Sequence, residues 1–408
     1  MRNDETYEQP RICGAYVVYQ CLQMYADLYC TRYVQEQIRR LRVFAGIGTI
    51  SDSMPLLFEN RPLVRDAVSI ARMIYSNGTD FVVNHMPGCD VYRRAFRGLN
   101  TILRMFADSG KISKPGDITE IFFGYYLAPV FNSVKRIGTD MQDAFGVFFG
   151  AEVQANAAKL FALNNERRAL VERYLVELTS ADQPFAPYIY WSDAPTGVLG
   201  LLAKRMSDMT GLPAAVIRQD DTIHGSGRSP VWYPFVTRTK AVDAYAAGHE
   251  VAFGIGFHGD ADIKKLYDFL ANDVHAVMSQ TDMSQYEAKP DFVIAHDGTG
   301  DVVIDIVLFL EYLDELQQLR PFGSGFPAPS VLLKFRPEDG DWTILGSTKQ
   351  HLKIRLDHGL EVLLWNQAPL MEKKDSMKEC YVIGHLVKNE FRDIQTVQFV
   401  CDADMTYA

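Results

Sequence analysis

The spacing of apolar residues divides the chain into a helix-rich first part and a strand-rich end. Arg11 to Cys30 (RICGAYVVYQCLQMYADLYC) has apolar side chains at helical spacing. TRYVQEQIRRLR continues the pattern, placing Arg39, Arg40 and Arg42 where a helix dipole favours cations. Val43 to Ile50 (VFAGIGTI) is a short apolar run with two glycines, which predicts a buried strand. It ends at Ser51-Asp52-Ser53, so Asp52 would sit at a strand's C-terminal edge. PLLFENRPLVRDAV opens another helix. Between Asn77 and Lys114 no pattern dominates, and His85, Cys89 and Asp90, which fit no metal-ligand spacing, are read as loop residues.

Thr139-Asp140-Met141-Gln142 is a capping-box pattern, and the sequence then runs with few breakers to about Leu178. Leu160, Leu163, Leu170, Tyr174 and Leu178 line one face of that expected helix. A helix from about Leu199 to Asp208, a glycine turn and an apolar strand, Ala214 to Ile217, come next. Ile304 to Ser330 begins as an amphipathic helix and ends in a Gly/Pro-rich connector after Pro321. Beyond it lie six short runs (SVLLKF, WTILGS, HLKIRL, LEVLLWN, CYVIGHLVKNEF, TVQFVC) that predict a small sandwich or barrel. Lys349, His351, Lys353 and Arg355 alternate there, which puts basic groups on one strand face; a solvated edge strand would show the same pattern.

Composition narrows this little. With 408 residues, 48% of them hydrophobic, the chain can fill two or three cores. Its net charge of −10 leaves no global basic footprint, so any polyanion site must be a local patch. Six scattered cysteines with no Cys-x-x-Cys pair are expected to be reduced thiols in a cytoplasmic setting. No apolar run reaches membrane-spanning length, and MRNDETYEQP lacks the apolar core of a signal peptide.

The candidate chemistry concentrates in HGSGRS (His224 to Ser229) and AAGHEVAFG (Ala246 to Gly254). Glycines allow close backbone approach to a ligand, and Arg228 offers a planar fork for phosphate. Gly248 and His249 add a flexible step and an imidazole that can move a proton. The first piece is expected to be a loop following a strand, where open α/β sheets place ligands, although a tight turn with an exposed arginine fits equally. Trp232, Tyr233 and Phe235 could stack bases or fill a core. His258, His275 and His296-Asp297 need no special role.

The order GVLG, GSGRS, AGH resembles the DHH-associated domain of the RecJ family of single-strand-specific 5′ exonucleases, with Ala247 at the first position of that family's Gly-Gly-His. ICGA…AGIGTISDSMPLLFENRPLV is similar to the second half of the RecJ-type DHH phosphoesterase domain, Asn60 and Arg61 included. Ile118 to Gly138 (ITEIFFGYYLAPVFNSVKRIG) resembles the family's strand-facing segment at Asn132 and Arg136, with Val134 and Lys135 in place of Ala-Gly. ALNNERRALVE resembles its connecting helix. LRPFGSGFPAPS, KQHLKI and GHLVKNEFRDIQTVQF resemble its oligonucleotide-binding barrel, with departures at Arg320 and Phe326. No Asp-His-His and no Asp-x-Asp of the kind that the family places upstream appears in the early sequence, and Asp357-His358 lacks the second histidine.

The resemblance implies an α/β fold: a partial DHH-type lobe (1–138), a long connecting helix (139–180), a DHH-associated lobe (181–303) and an OB-like β-barrel (304–408). It implies 5′→3′ hydrolysis of single-stranded DNA with Mn2+ or Mg2+, in the C-terminal part of a split or truncated enzyme. Asp52 would be a catalytic metal ligand and His249 a catalytic group. Asn132, Lys135, Arg136, Ser226, Gly227, Arg228, Ser229, Gly248, Lys349, His351 and Lys353 would bind the strand. Most metal ligands would then come from a separate chain carrying the missing motifs, because two-metal hydrolysis needs several carboxylates and imidazoles. The alternative is a non-catalytic DNA-binding or scaffold subunit. Hydrolysis of small dinucleotides fits less well, given the C-terminal barrel.

Overall fold

A computed structural model describes residues 11–84, 90–138, 140–242, 245–283, 289–295, 306–346, 349–357, 359–391, 394–401 and 405–407. The chain divides into two compact units, one of residues 1–54 and 62–287 and the other of residues 55–61 and 288–408. His85, Cys89, Thr139, His296, Asp297 and His358 lie outside the described residues.

The first unit begins with helices α1 (Gly14–Tyr29), α2 (Arg32–Arg40) and α3 (Arg42–Ser51). The expected strand at Val43 to Ile50 is therefore helix α3, and Asp52 caps its C-terminus instead of ending a strand. An eight-residue apolar run has no period that separates the two states, and here packing decides. A Cβ on Gly46 would lie 2.4 Å from the Cβ of Ala67, and one on Gly48 would lie 2.9 Å from that of Ala15. The glycines are points of close helix contact, with Ala67 on α4 (Asn60–Asn84) on one side and Ala15 on α1 on the other.

Helices α5 (Asp90–Asp108) and α6 (Glu120–Phe122) follow, then a π-helical turn (Phe123–Leu127) that runs into α7 (Ala128–Ile137). Asp90 thus opens a helix. The uninterrupted helix expected to Leu178 is two: α8 (Gln142–Phe149) and α9 (Val153–Ser180). The break falls at Gly150, where a Cβ would meet the Gly146 carbonyl oxygen at 2.4 Å while the Asn156 amide donates to that same oxygen at 2.9 Å. At 1.5 Å per residue, the 28 residues of α9 make a rod about 42 Å long.

The rest of the unit is a five-stranded sheet in the order β1-β2-β3-β5-β4. Its strands are β1 (Ile189–Trp191), β2 (Ala214–Gln219), β3 (Ile223–Arg228), β4 (Tyr245–His249) and β5 (Ala252–Phe257), and only β1–β2 is a parallel pair. Helix α10 (Thr196–Thr210) packs on one face together with α9, burying Val198, Leu202, Ala214 and Val216. On the other face α11 (Phe235–Thr239) and α12 (Asp260–Gln280) enclose Ile217, Phe235, Phe253, Ile255 and Leu266.

The second unit holds β6 (Phe292–Ala295), helix α13 (Ile306–Gln318) and the strands β7 (Val331–Phe335), β8 (Gly340–Leu345), β9 (His351–Leu356), β10 (Glu361–Leu364), β11 (Cys380–Phe391), β12 (Ile394–Cys401) and β13 (Thr406–Tyr407). All six runs expected as strands are strands. They form one sheet in the order β6-β7-β11-β12-β10-β9-β8, with β13 paired to β11. Residues 55–61 are built into this unit: Leu56 is buried and donates its N–H to Ser324, and the Arg61 guanidinium lies 3.7 Å from the centre of the Phe326 ring. The departure at Phe326 thus has a local partner in Arg61. The mixed α/β architecture ending in an OB-like barrel is as expected.

One partly buried network ties α12 to Tyr233 and to Arg238 of α11. Asp273 accepts from both ends of the Arg238 fork, at 2.5 and 2.6 Å, and from the buried Tyr233 hydroxyl at 2.7 Å. The Arg238 bonds hold the Asp273 carboxyl below the ordinary aspartate value, outweighing burial. A depressed folded-state pKa stabilises the fold above the unfolded value, and that contribution fades as pH falls through the folded value. Asp273→Asn should therefore cost about 1–3 kcal/mol in urea unfolding at neutral pH. The gap to wild type should close as the pH drops below the ordinary aspartate value.

Candidate nucleic-acid interface

Three arginines meet at the junction of α7, α9, α10 and β3. Arg136 lies one helical turn after Asn132 on α7, and its guanidinium donates to the Gly197 carbonyl in the first turn of α10 at 3.1 Å. The two backbones touch there: a Cβ on Gly197 would lie 2.1 Å from the Arg136 carbonyl oxygen. The Arg228 side chain rises from β3 over α10, with its guanidinium 3.1 Å from where a Gly200 Cβ would sit, and donates to the Gly227 carbonyl at 2.8 Å. Arg167, on α9, has its guanidinium held by the Asn164 amide oxygen at 3.0 and 3.1 Å. All three are partly buried.

No carboxylate among the described residues pairs with any of them. Burial pushes all three below the ordinary guanidinium value; the charge of Arg136 pushes Arg228 and Arg167 further, and Arg168 adds to the effect on Arg167. Guanidinium stays protonated regardless, so the repulsion is stored in the fold and an incoming anion would relieve it. Asn132, at the other end of the same face of α7, donates to the Ser51 hydroxyl at 3.1 Å, next to Asp52. Asn132 thus reaches the residue before Asp52, one turn of α7 away from Arg136. Lys135 is exposed beside Arg136.

HGSGRS is a strand, not a loop. Its even-numbered residues share a face with the β5 and β4 residues in register: His224 with Gly256 and Tyr245, Ser226 with Gly254 and Ala247, Arg228 with Ala252 and His249. His249 thus stands in the same row as Arg228, two strand spacings or about 10 Å away, exposed before the Glu250-Val251 turn. Gly254 and Gly256 leave a strip free of side chains between them; a Cβ on Gly254 would meet nothing closer than 3.9 Å.

The odd-numbered glycines serve the core instead. A Cβ on Gly227 would strike the Phe253 ring at 2.1 Å, and that ring stacks on Phe235 at 4.0 Å. Ser229 is buried, with its hydroxyl donating to the Tyr233 carbonyl at 2.7 Å. Gly248 has φ of 135°, a conformation that only glycine adopts readily, and serves the hairpin. Trp232, Tyr233 and Phe235 are at most 8% exposed and fill the core outside any strand, so they offer no face to a base. Tyr245 does: it is 72% exposed and lies against Gly256.

In the barrel, His351, Lys353 and Arg355 project from one face of β9, alternating with buried Leu352, Ile354 and Leu356. Lys349 precedes the strand in a left-handed conformation (φ 53°). Lys353 is paired with Glu361 at 3.1 Å; burial favours the protonated acid, but bonds from Gln398 and Lys353 outweigh it and hold Glu361 below the ordinary value. Much of the Lys353 charge is therefore neutralised. Beside it, the half-exposed Trp365 meets the His351 ring edge-on at 4.9 Å, and His351 accepts from the Asn366 N–H at 3.1 Å. Arg167, Tyr245, Gly256 and Trp365 went unread in the sequence. Only the even spacing of Gly254 and Gly256 on a strand with buried Phe253, Ile255 and Phe257 could have marked the strip.

Among the described residues no three His, Cys, Asp or Glu side chains come together, and Asp52 stands alone on an exposed helix end. Cys13, Cys21, Cys30, Cys380 and Cys401 form no disulfide among the described residues; burial, aided by Glu338 and Asp339, pushes Cys380 up to about 12. No described helix is long and apolar enough to cross a membrane.

The stored repulsion yields a test. Arg228→Gln should leave urea-unfolding stability at low salt within about 0.5 kcal/mol of wild type, or raise it. Gly197→Ala should cost about 1–3 kcal/mol by forcing α7 and α10 apart.

Comparison with known proteins bears on the fold. A RecJ OB domain family model matches residues 305–403. The single-stranded-DNA-specific exonuclease RecJ of Thermus thermophilus is 27% identical over 331 residues, covering 80% of this chain and 43% of that protein. Its counterpart from Bacillus subtilis is 25% identical over 380 residues, covering 87% and 43%. Among solved structures, Thermus thermophilus RecJ in complex with Mg2+ matches with a TM-score of 0.67 at 23% identity, over 94% of this chain and 54% of that one. The same protein with Mn2+ gives 0.65 at 23% identity, over 94% and 51%. The chain spans less than half the length of the two curated relatives and about half that of the solved ones. With its barrel matched by the RecJ OB domain and its fold shared with RecJ over nearly all of its length, the chain is recognised as RecJ-like.

Proposed function

We propose that this chain is the strand-gripping part of a RecJ-like single-strand DNA 5′→3′ exonuclease. The observation that carries the reading is the cluster of Arg136, Arg167 and Arg228, three partly buried cations with no carboxylate partner among the described residues. Phosphates would bridge the arginines, and the backbone of a single strand would run along the Gly254–Gly256 strip beside the row that holds Arg228, Ala252 and His249. Tyr245 in the first unit and Trp365 in the barrel would each take a base, contacts worth about 1–3 kcal/mol apiece. Asn132, Lys135, Ser226 and Gly248 border this path, and Lys349 and His351 would serve the barrel's own contact.

The relatives' use of Mg2+ or Mn2+ extends to this chain through Asp52 as one ligand. The described residues do not by themselves make a two-metal site, and the remaining ligands would come from a separate chain bearing Asp-x-Asp and Asp-His-His. Cysteines without a disulfide among the described residues fit a cytoplasmic setting. The solitary Asp52 also favours a second reading, a strand-binding subunit without catalysis. The segments 1–138, 139–180, 181–303 and 304–408 are proposed as the domains of either.

Fluorescence anisotropy with a labelled oligo-dT tests the grip. Arg136→Ala and Arg228→Ala should each weaken binding at least tenfold, about 1.4 kcal/mol or more, as removal of a charge-assisted hydrogen bond implies. The slope of log affinity against log salt should fall by about 0.7 for each phosphate that the variant no longer neutralises. Trp365→Ala should weaken binding about fivefold or more without changing that slope. Unchanged affinity in both arginine variants contradicts the reading.

A further inference from the structure

Trp365, the exposed barrel ring proposed to take a base, is held by His351. The two stand opposite each other where the β9–β10 ladder ends, one step beyond the Leu352–Leu364 pair. The imidazole meets the indole edge-on at 4.9 Å, and the turn before β9 confines it: a Cβ on Gly346 would lie 3.1 Å from the ring. Directly after Trp365 the chain turns at Asn366, with φ of 61°, and the Asn366 N–H donates to His351 Nδ1 at 3.1 Å. An imidazole nitrogen accepts only while it carries no proton. The bond therefore belongs to the neutral ring with its hydrogen on Nε2, 3.4 Å from the Gln350 side-chain amide. A second proton would set two donors face to face, and ring and turn would have to part. Any attraction of the imidazolium to the indole would then need another orientation. Water can take up the Asn366 N–H, because that residue is exposed, so the barrel itself survives the change.

We infer that His351 is a positioning residue: the neutral imidazole fixes the Trp365 turn for stacking on a base, and protonation releases it. Strand binding by the barrel is then weaker in mild acid than above neutrality. A histidine that gripped phosphate would do the reverse, gaining affinity with its charge. The surroundings favour the first behaviour. On the face that His351 shares stand Lys353 and Arg355 of β9; opposite them lie Thr343 and Asp341 of β8 and Leu363 and Glu361 of β10, and Lys349 precedes the strand. Lys353 holds Glu361. In the turn Ala368–Ser376, which begins beside Gln350, Lys373 reaches the Tyr407 hydroxyl and Lys374 the Gly340 carbonyl, while Glu372 and Asp375 are exposed. Among the described residues no carboxylate pairs with His351, so no counter-charge is in place to hold the charged ring where the neutral one sits. The inference rests on the proposed stacking of a base on Trp365 and names what controls it.

Two measurements on the full chain test this. Fluorotryptophan gives one fluorine NMR signal for each of the four tryptophans, and Trp365→Phe identifies the one that matters. In the free protein that signal should move between about pH 8 and about pH 6. It should stay fixed in His351→Asn, whose side-chain oxygen takes the place of Nδ1 without titrating. Anisotropy with labelled oligo-dT supplies the second reading. From about pH 8 to about pH 6 the wild type should lose about twofold or more in affinity relative to His351→Asn. His224 and His249 are common to both proteins and cancel. At about pH 8, His351→Lys, which adds a charge but no acceptor, should bind about threefold or more weakly than wild type. In a Trp365→Ala background His351→Asn should change nothing. Circular dichroism checks that each variant folds, and the wild-type signal needs no variant at His351. A Trp365 signal that does not titrate in the wild type, or titrates equally in His351→Asn, overturns the inference. So does affinity that rises relative to His351→Asn as pH falls, or rises in His351→Lys. Failure of the strand-binding reading shows differently, as Arg136, Arg228 and Trp365 variants that bind like wild type at every pH.

Discussion

Everything in the first unit turns on the seat of α7 against α10. Gly197 lets the carboxyl end of one helix reach the first turn of the other, backbone to backbone, and the Arg136 guanidinium closes the contact by donating to the Gly197 carbonyl. That approach brings Arg136 within electrostatic reach of Arg228 on the sheet and of Arg167 on α9. Three cations are thereby held together, partly desolvated, on rigid elements. The arrangement works against stability in the free protein and favours a polyanion, a trade that binding sites commonly make. It would also let a chain with net charge −10 hold the proposed nucleic acid, because the charge that matters would be local.

The sheet adds a surface to that charge. Alternation on β3 sends Gly225 and Gly227 toward the core and Ser226 and Arg228 toward the helix side, while β5 repeats the scheme with Phe253, Ile255 and Phe257 inward and Gly254 and Gly256 outward. Ala252 stands between Arg228 and His249, and the outward glycines keep β5 low in the next two rows, between Ser226 and Ala247 and between His224 and Tyr245. In the barrel, the burial of alternate residues on β9 presents His351 to Trp365, whereas Glu361 takes up the charge of Lys353.

Much of this was legible in the sequence, and the gaps have physical causes. The barrel strands alternate with period two and were readable one by one; α10 and β2 likewise announced themselves by apolar spacing and the Gly211 stop. Val43 to Ile50 was not readable, because its glycines are contacts between helices and only the partners Ala15 and Ala67 reveal that. HGSGRS read as a loop because two glycines and an arginine suit a phosphate turn; the ladder to β2 and β5 is a long-range property. The charges of Arg136 and Arg228 were visible separately, but their meeting, and the part played by Arg167, depended on a helix crossing that no local pattern encodes.

The central claim is that Arg136 and Arg228 act on one bound strand as a single site. A double-mutant cycle in single-strand DNA affinity, using Arg136→Ala, Arg228→Ala and the pair, measures this directly. The account predicts that the double variant loses less than the sum of the single losses, with a coupling of about 0.5–3 kcal/mol. Losses that simply add, or affinity that none of the variants changes, would contradict it.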